Sequence, residues 1–129
     1  MAINPAFAVT PRIGIAQVTT ANTNYDGTTG AYVDVIVGAS TGTRIAEIVI
    51  QAAGVTTAGM VRLFITDGVS VRMFDEITVA AVASPGASTK ATRVSTLYNN
   101  LILPNQTWKI TASTHNSNNI NVFAMGADL

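Results

Sequence analysis

The strongest constraint on the fold of this chain is its content of β-branched side chains. Valine, isoleucine and threonine supply 44 of its 129 residues, whereas leucine supplies five and glutamate and lysine two each. A β-branched side chain loses rotamer freedom in a helix and packs well on a pleated sheet. Apart from alanine, residues that favour helices are nearly absent, so the composition predicts an all-β protein.

Alternation of apolar and polar residues predicts about eight strands. The predicted strands cover residues 12–20, 31–37, 43–52, 60–66, 69–79, 91–98, 106–114 and 119–125, with a further short apolar run at 101–103. Strands at this spacing, with no strong helix pattern between them, are typical of a sandwich, barrel or jelly roll, and eight strands favour the jelly roll. We therefore predict a single antiparallel β-sandwich of the jelly-roll type.

The clearest local signal is the Asp67-Gly68 pair between two alternating runs. Such a pair predicts a tight β-hairpin in which both turn residues take a positive φ. We therefore expect residues 60–66 and 69–79 to pair as neighbouring antiparallel strands.

Strict alternation also assigns side chains to faces. In the strand at 43–52 it groups Ala46 with Ile48 and Ile50, and in the strand at 31–37 it sets Val35 and Ile36 on opposite faces. Several strands carry apolar residues on both faces, notably residues 45–50, 60–65 and 69–79. One face must pack the core, and the other is available to a partner.

The first residues differ from the rest of the chain. Pro5 and Pro11 interrupt them, and they lack the basic region of a secretory signal. We predict an extended N-terminal arm at residues 1–11 and a β-sandwich domain at residues 12–129. No run of 18 apolar residues occurs, so we expect no membrane-spanning helix.

Charge is sparse and balanced. Only 11% of the residues are charged, seven basic against seven acidic, while 48% are hydrophobic. Binding to nucleic acid or to an anionic membrane needs clustered Lys and Arg, so neither partner is expected. A chain with so little charge has apolar surface to hide, and self-association or docking on a larger body hides it most simply.

Residues that could carry chemistry are few and scattered. The chain has no cysteine, which excludes disulfides and thiolate metal sites, and one histidine, His115, without a nucleophile-elbow sequence around any serine. Asp75 and Glu76 are adjacent on a strand and point to opposite faces, so they do not form the converging carboxylate pair of a glycosidase. We expect no catalytic residues, no cofactor and no enzyme.

Two further patterns have ordinary structural interpretations. Residues 22–27 match the first half of a calcium loop, but Val33 stands where that loop needs glutamate, so a turn-rich loop is favoured over a metal site. Four aromatic residues could form a platform for a sugar or a base. They are Tyr25, Tyr32, Tyr98 and Trp108. Without basic residues interleaved among them, packing in the core or at an interface is the favoured interpretation.

Three segments resemble a known family. They are TANTNYDGT at residues 20–28, TTAGMVRLFITDG at residues 56–68, and the ending from LPN at 103–105 through STHN at 113–116. Together they resemble small virion proteins encoded beside the capsid genes of tailed bacteriophages, where an assigned role is capsid decoration, also called cement. The resemblance covers residues 13–127 and rests on turn and strand signatures.

The resemblance implies a β-sandwich or jelly-roll protein on the outer surface of the capsid. It implies a homo-oligomer, commonly a trimer, with the major capsid protein as partner, and it carries over no catalytic residue. We accordingly predict interface residues in the arm and on the two-sided strands. They are Ile3, Pro5, Phe7, Val9, Pro11, Met60, Phe64 and Phe74.

Two other classes of function remain open from the sequence. A head-fibre, tail or head–tail adaptor component shares this composition, and its copy number per virion would differ. A carbohydrate-binding jelly roll for host attachment would need an exposed groove of aromatic and polar side chains, which glycan binding would reveal.

Overall fold

The computed structural model describes residues 10–129. Within this range the chain forms eight strands. They are β1 (Thr10–Val18), β2 (Val33–Val37), β3 (Thr43–Ala52), β4 (Gly59–Thr66), β5 (Val71–Val79), β6 (Arg93–Leu103), β7 (Lys109–Thr114) and β8 (Ile120–Asp128). The described part of the chain has no helix, and hence none long and apolar enough to cross a membrane. The all-β, eight-stranded prediction is confirmed.

The strands form two antiparallel sheets of four. Sheet A has the order β1-β8-β3-β6, and sheet B has the order β2-β7-β4-β5. Of the seven connections between consecutive strands, the one from β4 to β5 alone stays within a sheet. All other neighbours in a sheet are distant in sequence. This arrangement of two stacked sheets is that of a jelly roll, as predicted.

The core lies between the two sheets. It consists of inward-facing, mostly β-branched side chains from both, with Ile45, Ile48 and Leu103 from sheet A and Val61 and Leu63 from sheet B among those fully buried. Two sheets pack about 10 Å apart when their inner faces interdigitate in this way. The β-branched content of the sequence therefore fills the space between the sheets.

Both open sides of the sandwich are closed by its edge strands. On one side β1 lies against β2. On the other, Phe74 of β5 packs edge-on against Tyr98 of β6 at 6.1 Å between ring centroids, and the Tyr98 hydroxyl donates to Asp75 at 2.6 Å. Burial, together with the neighbouring Asp75 carboxylate, raises the pKa of Tyr98 and keeps it a hydrogen-bond donor.

Bulges change the predicted faces of two strands. In β3 the register shifts between Ile45 and Glu47, so Ile45 joins Ile48 in the core and Ala46 is exposed. In β2 a shift between Asp34 and Ile36 buries both Val35 and Ile36. Both predicted face assignments are wrong, because an extra residue in one strand resets its alternation.

The Asp67-Gly68 hairpin is confirmed, but its turn differs from the predicted one. The loop spans residues 67–70. Gly68 has a φ of 97°, but Asp67 does not have a positive φ, since among the described residues only glycines do. The Asp67 carboxylate instead accepts hydrogen bonds from the backbone N–H groups of Val69 (2.9 Å) and Ser70 (2.8 Å). Asp67 thus stabilises the turn with its side chain rather than with a left-handed backbone.

Two residues that the sequence assigned to the arm lie in a strand of the sandwich. Thr10 and Pro11 belong to β1, where they pair with Asp128 and Ala127 of β8. Proline, which has no N–H to donate, is tolerated at the beginning of an edge strand such as β1. Residues 1–9 lie outside the described part of the chain, and the arm remains a prediction for them.

Replacing Gly126 tests the packing of β8 on β3. A Cβ at this position would overlap the carbonyl oxygen of Arg44, beside the bulge at Ala46. We expect Gly126→Ala to lower the free energy of unfolding by about 1–3 kcal/mol, as other overpacked sites do. Denaturant unfolding measures the effect, and Gly54→Ala, whose Cβ would meet no atom within 4 Å, is the matched control. Equal stability of the two variants would contradict the close approach.

Candidate functional site

A network of hydrogen bonds surrounds Arg62, on the outer face of sheet B. The Arg62 side chain is 3% exposed, and its Nε donates to Glu76 on the neighbouring strand at 2.9 Å. Its Nη1 donates to the carbonyl of Asn22 at 3.3 Å, and its Nη2 lies 3.2 Å from the Tyr25 hydroxyl and 3.1 Å from Nδ1 of His115. A buried guanidinium is costly unless its donors are satisfied, and here four partners share them.

This arrangement holds the β1–β2 loop (residues 19–32) against sheet B. The Tyr25 ring stacks on the Arg62 guanidinium at 4.3 Å, and Tyr32 packs edge-on against Phe64 at 5.1 Å. The Asn22 backbone N–H donates to Thr114 of β7 at 2.8 Å. The loop therefore covers side chains of β4 that would otherwise face solvent.

An exposed turn within the loop is held by Asp26. Its carboxylate accepts hydrogen bonds from the Thr29 hydroxyl (2.6 Å) and from the backbone N–H groups of Thr29 (3.0 Å) and Thr28 (3.1 Å). These bonds favour the ionised form and hold the pKa of Asp26 well below its usual range. The carboxylate that the calcium-loop pattern singled out is thus engaged by the loop itself.

The other residues considered for chemistry also have structural contacts. His115 lies in the turn after β7. Its ring Nδ1 accepts a hydrogen bond from Arg62, and its backbone N–H donates to the Met60 carbonyl at 2.9 Å. Asp75 and Glu76 point to opposite faces as predicted, the first toward Tyr98 and the second toward Arg62. Within residues 10–129 no three Asp, Glu or His side chains converge in a way that could hold a metal ion.

The aromatic residues do not form one platform. Tyr32 packs on Phe64, Tyr98 packs against Phe74, and Trp108, the residue before β7, packs against the core. Tyr25 is 59% exposed beside a depression of about 400 Å³ that Met60 and His115 also line. Packing accounts for three of the four, and Tyr25 uses one ring face on Arg62.

The predicted interface residues are dispersed in the structure. Phe64 is fully buried beneath the β1–β2 loop, so we correct its assignment: it packs inside the subunit. Phe74 is half-buried against Tyr98 and the core, and Met60 is half-buried beside the Arg62 cluster. Pro11 is exposed at the beginning of β1. Ile3, Pro5, Phe7 and Val9 lie outside the described residues.

Sequence reasoning missed the outer face of sheet A, where the described structure leaves several large apolar side chains exposed. The strand register places side chains of this face in three rows that cross all four strands. The rows are Ile13–Met125–Glu47–Leu97, Ile15–Phe123–Val49–Ser95 and Gln17–Asn121–Gln51–Arg93. Ile13, Ile15 and Leu97 are 63%, 70% and 78% exposed. Alternation had marked Ile13 and Ile15, but their neighbours on this face follow only from the strand order.

Comparison with known proteins gives structural similarity without sequence similarity. No protein-family model matches the chain, and no curated protein matches its sequence. Among solved structures, a crystal structure of a pentameric capsid protein isolated from metagenomic phage sequences aligns with a TM-score of 0.40 and 10% identity, over 90% of this chain and 61% of that one. A second crystal structure with the same description, solved by iodide SAD phasing, aligns with a TM-score of 0.41 and 10% identity, over 90% of this chain and 64% of that one.

A structure of infectious bursal disease virus, Gx strain, aligns with a TM-score of 0.31 and 15% identity, over 99% of this chain and 36% of that one. The chain therefore spans less than two thirds of the length of each of these three solved chains. Scores of this size at such low identity assign neither a family nor a function to it.

Arg62 provides a test of the loop attachment. Arg62→Met removes the charge and the hydrogen bonds while keeping an unbranched side chain, and leaves Glu76 and the Asn22 carbonyl without their donor. We expect a loss of about 1.5–3 kcal/mol in the free energy of unfolding, the range for hydrogen bonds to charged groups, and faster proteolysis within residues 19–32. Arg72→Met is the control, because Arg72 is exposed and its one side-chain hydrogen bond within residues 10–129 is to the adjacent Val71 carbonyl. Equal protease resistance of the two variants would refute the attachment.

The lowered pKa of Asp26 predicts a pH dependence. Its ionised form stabilises the folded state above the ordinary Asp pKa of about 3.9, and this contribution declines as the pH falls toward the lowered folded pKa. The difference in Tm between the wild type and Asp26→Asn should therefore be largest near neutral pH and shrink in acid. Thermal unfolding followed by circular dichroism measures it. A difference that is constant from neutral to strongly acidic pH would contradict the proposed role.

Proposed function

We propose that this chain is a structural virion protein, a capsid decoration protein that self-associates on the outer surface of a tailed-phage head and stabilises the shell. The observation that carries the proposal is the open apolar face of sheet A, with Ile15 and Leu97 largely exposed. A rigid sheet face of this kind is suited to assembly. Sparse, balanced charge supports the same role.

The use of polar residues in the described structure also supports a structural role. Arg62, His115 and Asp26 hold the β1–β2 loop, and Asp67 holds the β4–β5 turn. Their interactions stabilise loops on a β scaffold. A decoration protein needs such a scaffold and surfaces for its neighbours, and it needs no chemistry.

The finer parts of the proposal come from the family resemblance and the sequence. The partner is the major capsid protein, the preferred oligomer is a trimer, and the arm at residues 1–9 contacts the shell through Ile3, Pro5, Phe7 and Val9. The strand pairing of Thr10 with Asp128 assigns Thr10 and Pro11 to the sandwich, and we therefore take the arm to end at residue 9. Pro11, Met60 and Phe74 stay candidates for contacts with neighbours.

Removal of residues 2–9 tests the role of the arm. We expect the shortened protein to fold and self-associate as the wild type does, because it keeps all the pairs of β1 with β8 from Thr10 to Val18, and to lose binding to phage heads. The measurement is co-sedimentation with heads of the encoding phage that lack this protein, with circular dichroism and light scattering as checks on folding and association.

A matched pair of point variants sharpens this experiment. Phe7→Ser removes the largest apolar side chain of the arm and should weaken head binding, whereas Asn4→Ser should not. Binding that survives the deletion would refute the arm's role. A wild-type protein that binds tails but not heads would favour the fibre or adaptor alternative, and one that binds only glycans would favour the carbohydrate-binding alternative.

A further inference from the structure

We infer that the outer face of sheet A is the surface through which two copies of this chain pair, sheet against sheet. The inference rests on the proposed function, since it names one contact of the proposed self-association. It departs from the sequence-based interface set, of which Met60, Phe64 and Phe74 belong to sheet B.

Apolar side chains of the face occur on both edge strands and on β8, whereas β3 presents Glu47 and the 3% exposed Val49 between them. Ile13 and Ile15 lie on β1, Phe123 and Met125 on β8, and Leu97 on β6. The Gln17–Asn121–Gln51–Arg93 row bounds these side chains on one side, and Gln17 donates to Asn121 at 2.9 Å. An apolar centre with a polar margin is the usual composition of a protein–protein interface.

The size of the face suits a second copy. Four strands about 4.8 Å apart and nine residues rising about 3.3 Å each give a face of roughly 19 by 30 Å. Two such faces laid together remove more than about 1,000 Å² from solvent, which is the threshold for a specific interface. A second sheet A has the same right-handed twist, and equally twisted sheets pack face to face with their strands nearly aligned.

The charges of the face also permit self-pairing. Glu47 is the one acidic residue in the three rows, and it accepts a hydrogen bond from the Ser95 hydroxyl. With a two-fold axis along the strands, Glu47 meets Met125 of the second copy, and with the axis across the strands through the middle row it meets Gln51 of the second copy. Neither arrangement brings like charges together, so no repulsion between like charges opposes pairing.

Two-fold pairing predicts the number of chains in the assembly. A contact between identical faces closes at two copies, so we expect a dimer in solution, or a hexamer where the contact joins two trimers. Light scattering of the full chain measures this mass. A wild-type monomer or an odd-numbered oligomer overturns the inference, and a trimer overturns it while the proposed function stands.

Charged substitutions test which surface is responsible. Ile15→Glu combined with Leu97→Glu places two carboxylates on the face at positions that are already exposed, so the fold should be unaffected. We expect the mass to fall to about half that of the wild type. The control is Val69→Glu, at the turn of the β4–β5 hairpin, where Val69 is 92% exposed. It should leave the mass unchanged.

A complementary variant separates a lost contact from a damaged fold. Ile15→Lys combined with Leu97→Lys should also fail to pair alone, and an equimolar mixture of the Glu and Lys variants should regain the paired mass at low salt and lose it at high salt. Variants that keep the wild-type mass overturn the inference. So does a mixture that stays unpaired at low salt.

The remaining outcomes identify other occupants of the face. If removal of residues 2–9 increases the mass, the chain's own N-terminal segment covers the face, and pairing of intact chains is refuted. If the Glu variant keeps its mass but no longer binds phage heads, the shell occupies the face, and the inference is again refuted. If pairing behaves as expected and the wild type binds no heads, the inference stands and the proposed function fails.

Discussion

Burial of the inner faces of sheets A and B against each other is the interaction on which the rest of the structure depends. Neighbouring strands within each sheet are mostly distant in sequence, so neither sheet is complete until the chain has passed repeatedly between them. The side chains that fill the gap are mostly β-branched, with few rotamers and a shape suited to pleated surfaces. The composition therefore determines both the type of local structure and the packing that makes it stable.

The bulges adapt each strand to this shared core. The shift in β3 adds Ile45 to the inner face. In β5, Phe74 is the extra residue between Met73 and Asp75, which pair with Phe64 and Leu63, and its ring lies against Tyr98. A bulge bends its strand and increases the local twist. In β5 this aims an aromatic side chain across the open side of the sandwich. The same irregularity that breaks alternation thus helps to close the edge.

Local patterns predicted the elements well and the surfaces poorly. The hairpin at Asp67-Gly68 and the number of strands follow from nearest neighbours in sequence, and the structure confirms both. The burial of Phe64 cannot be predicted from its neighbours in sequence, because the loop that covers it begins some 45 residues earlier and is attached by Arg62. The outer face of sheet A cannot be predicted from local sequence either, since Ile15 and Leu97 share a face only through the strand order β1-β8-β3-β6.

The two outer faces of the sandwich illustrate how differently an apolar surface can be treated. On sheet B, the chain covers Phe64 with its own loop and holds that loop by satisfying a buried guanidinium. On sheet A, the described residues provide no such cover for Ile13, Ile15 and Leu97, although these side chains are apolar like Phe64. A sheet face is rigid before a partner arrives, so pairing there orders few side chains and loses little entropy. Covering one face internally and leaving the other open is consistent with a subunit built for assembly, and the charge that would keep the open face solvated is scarce throughout the sequence.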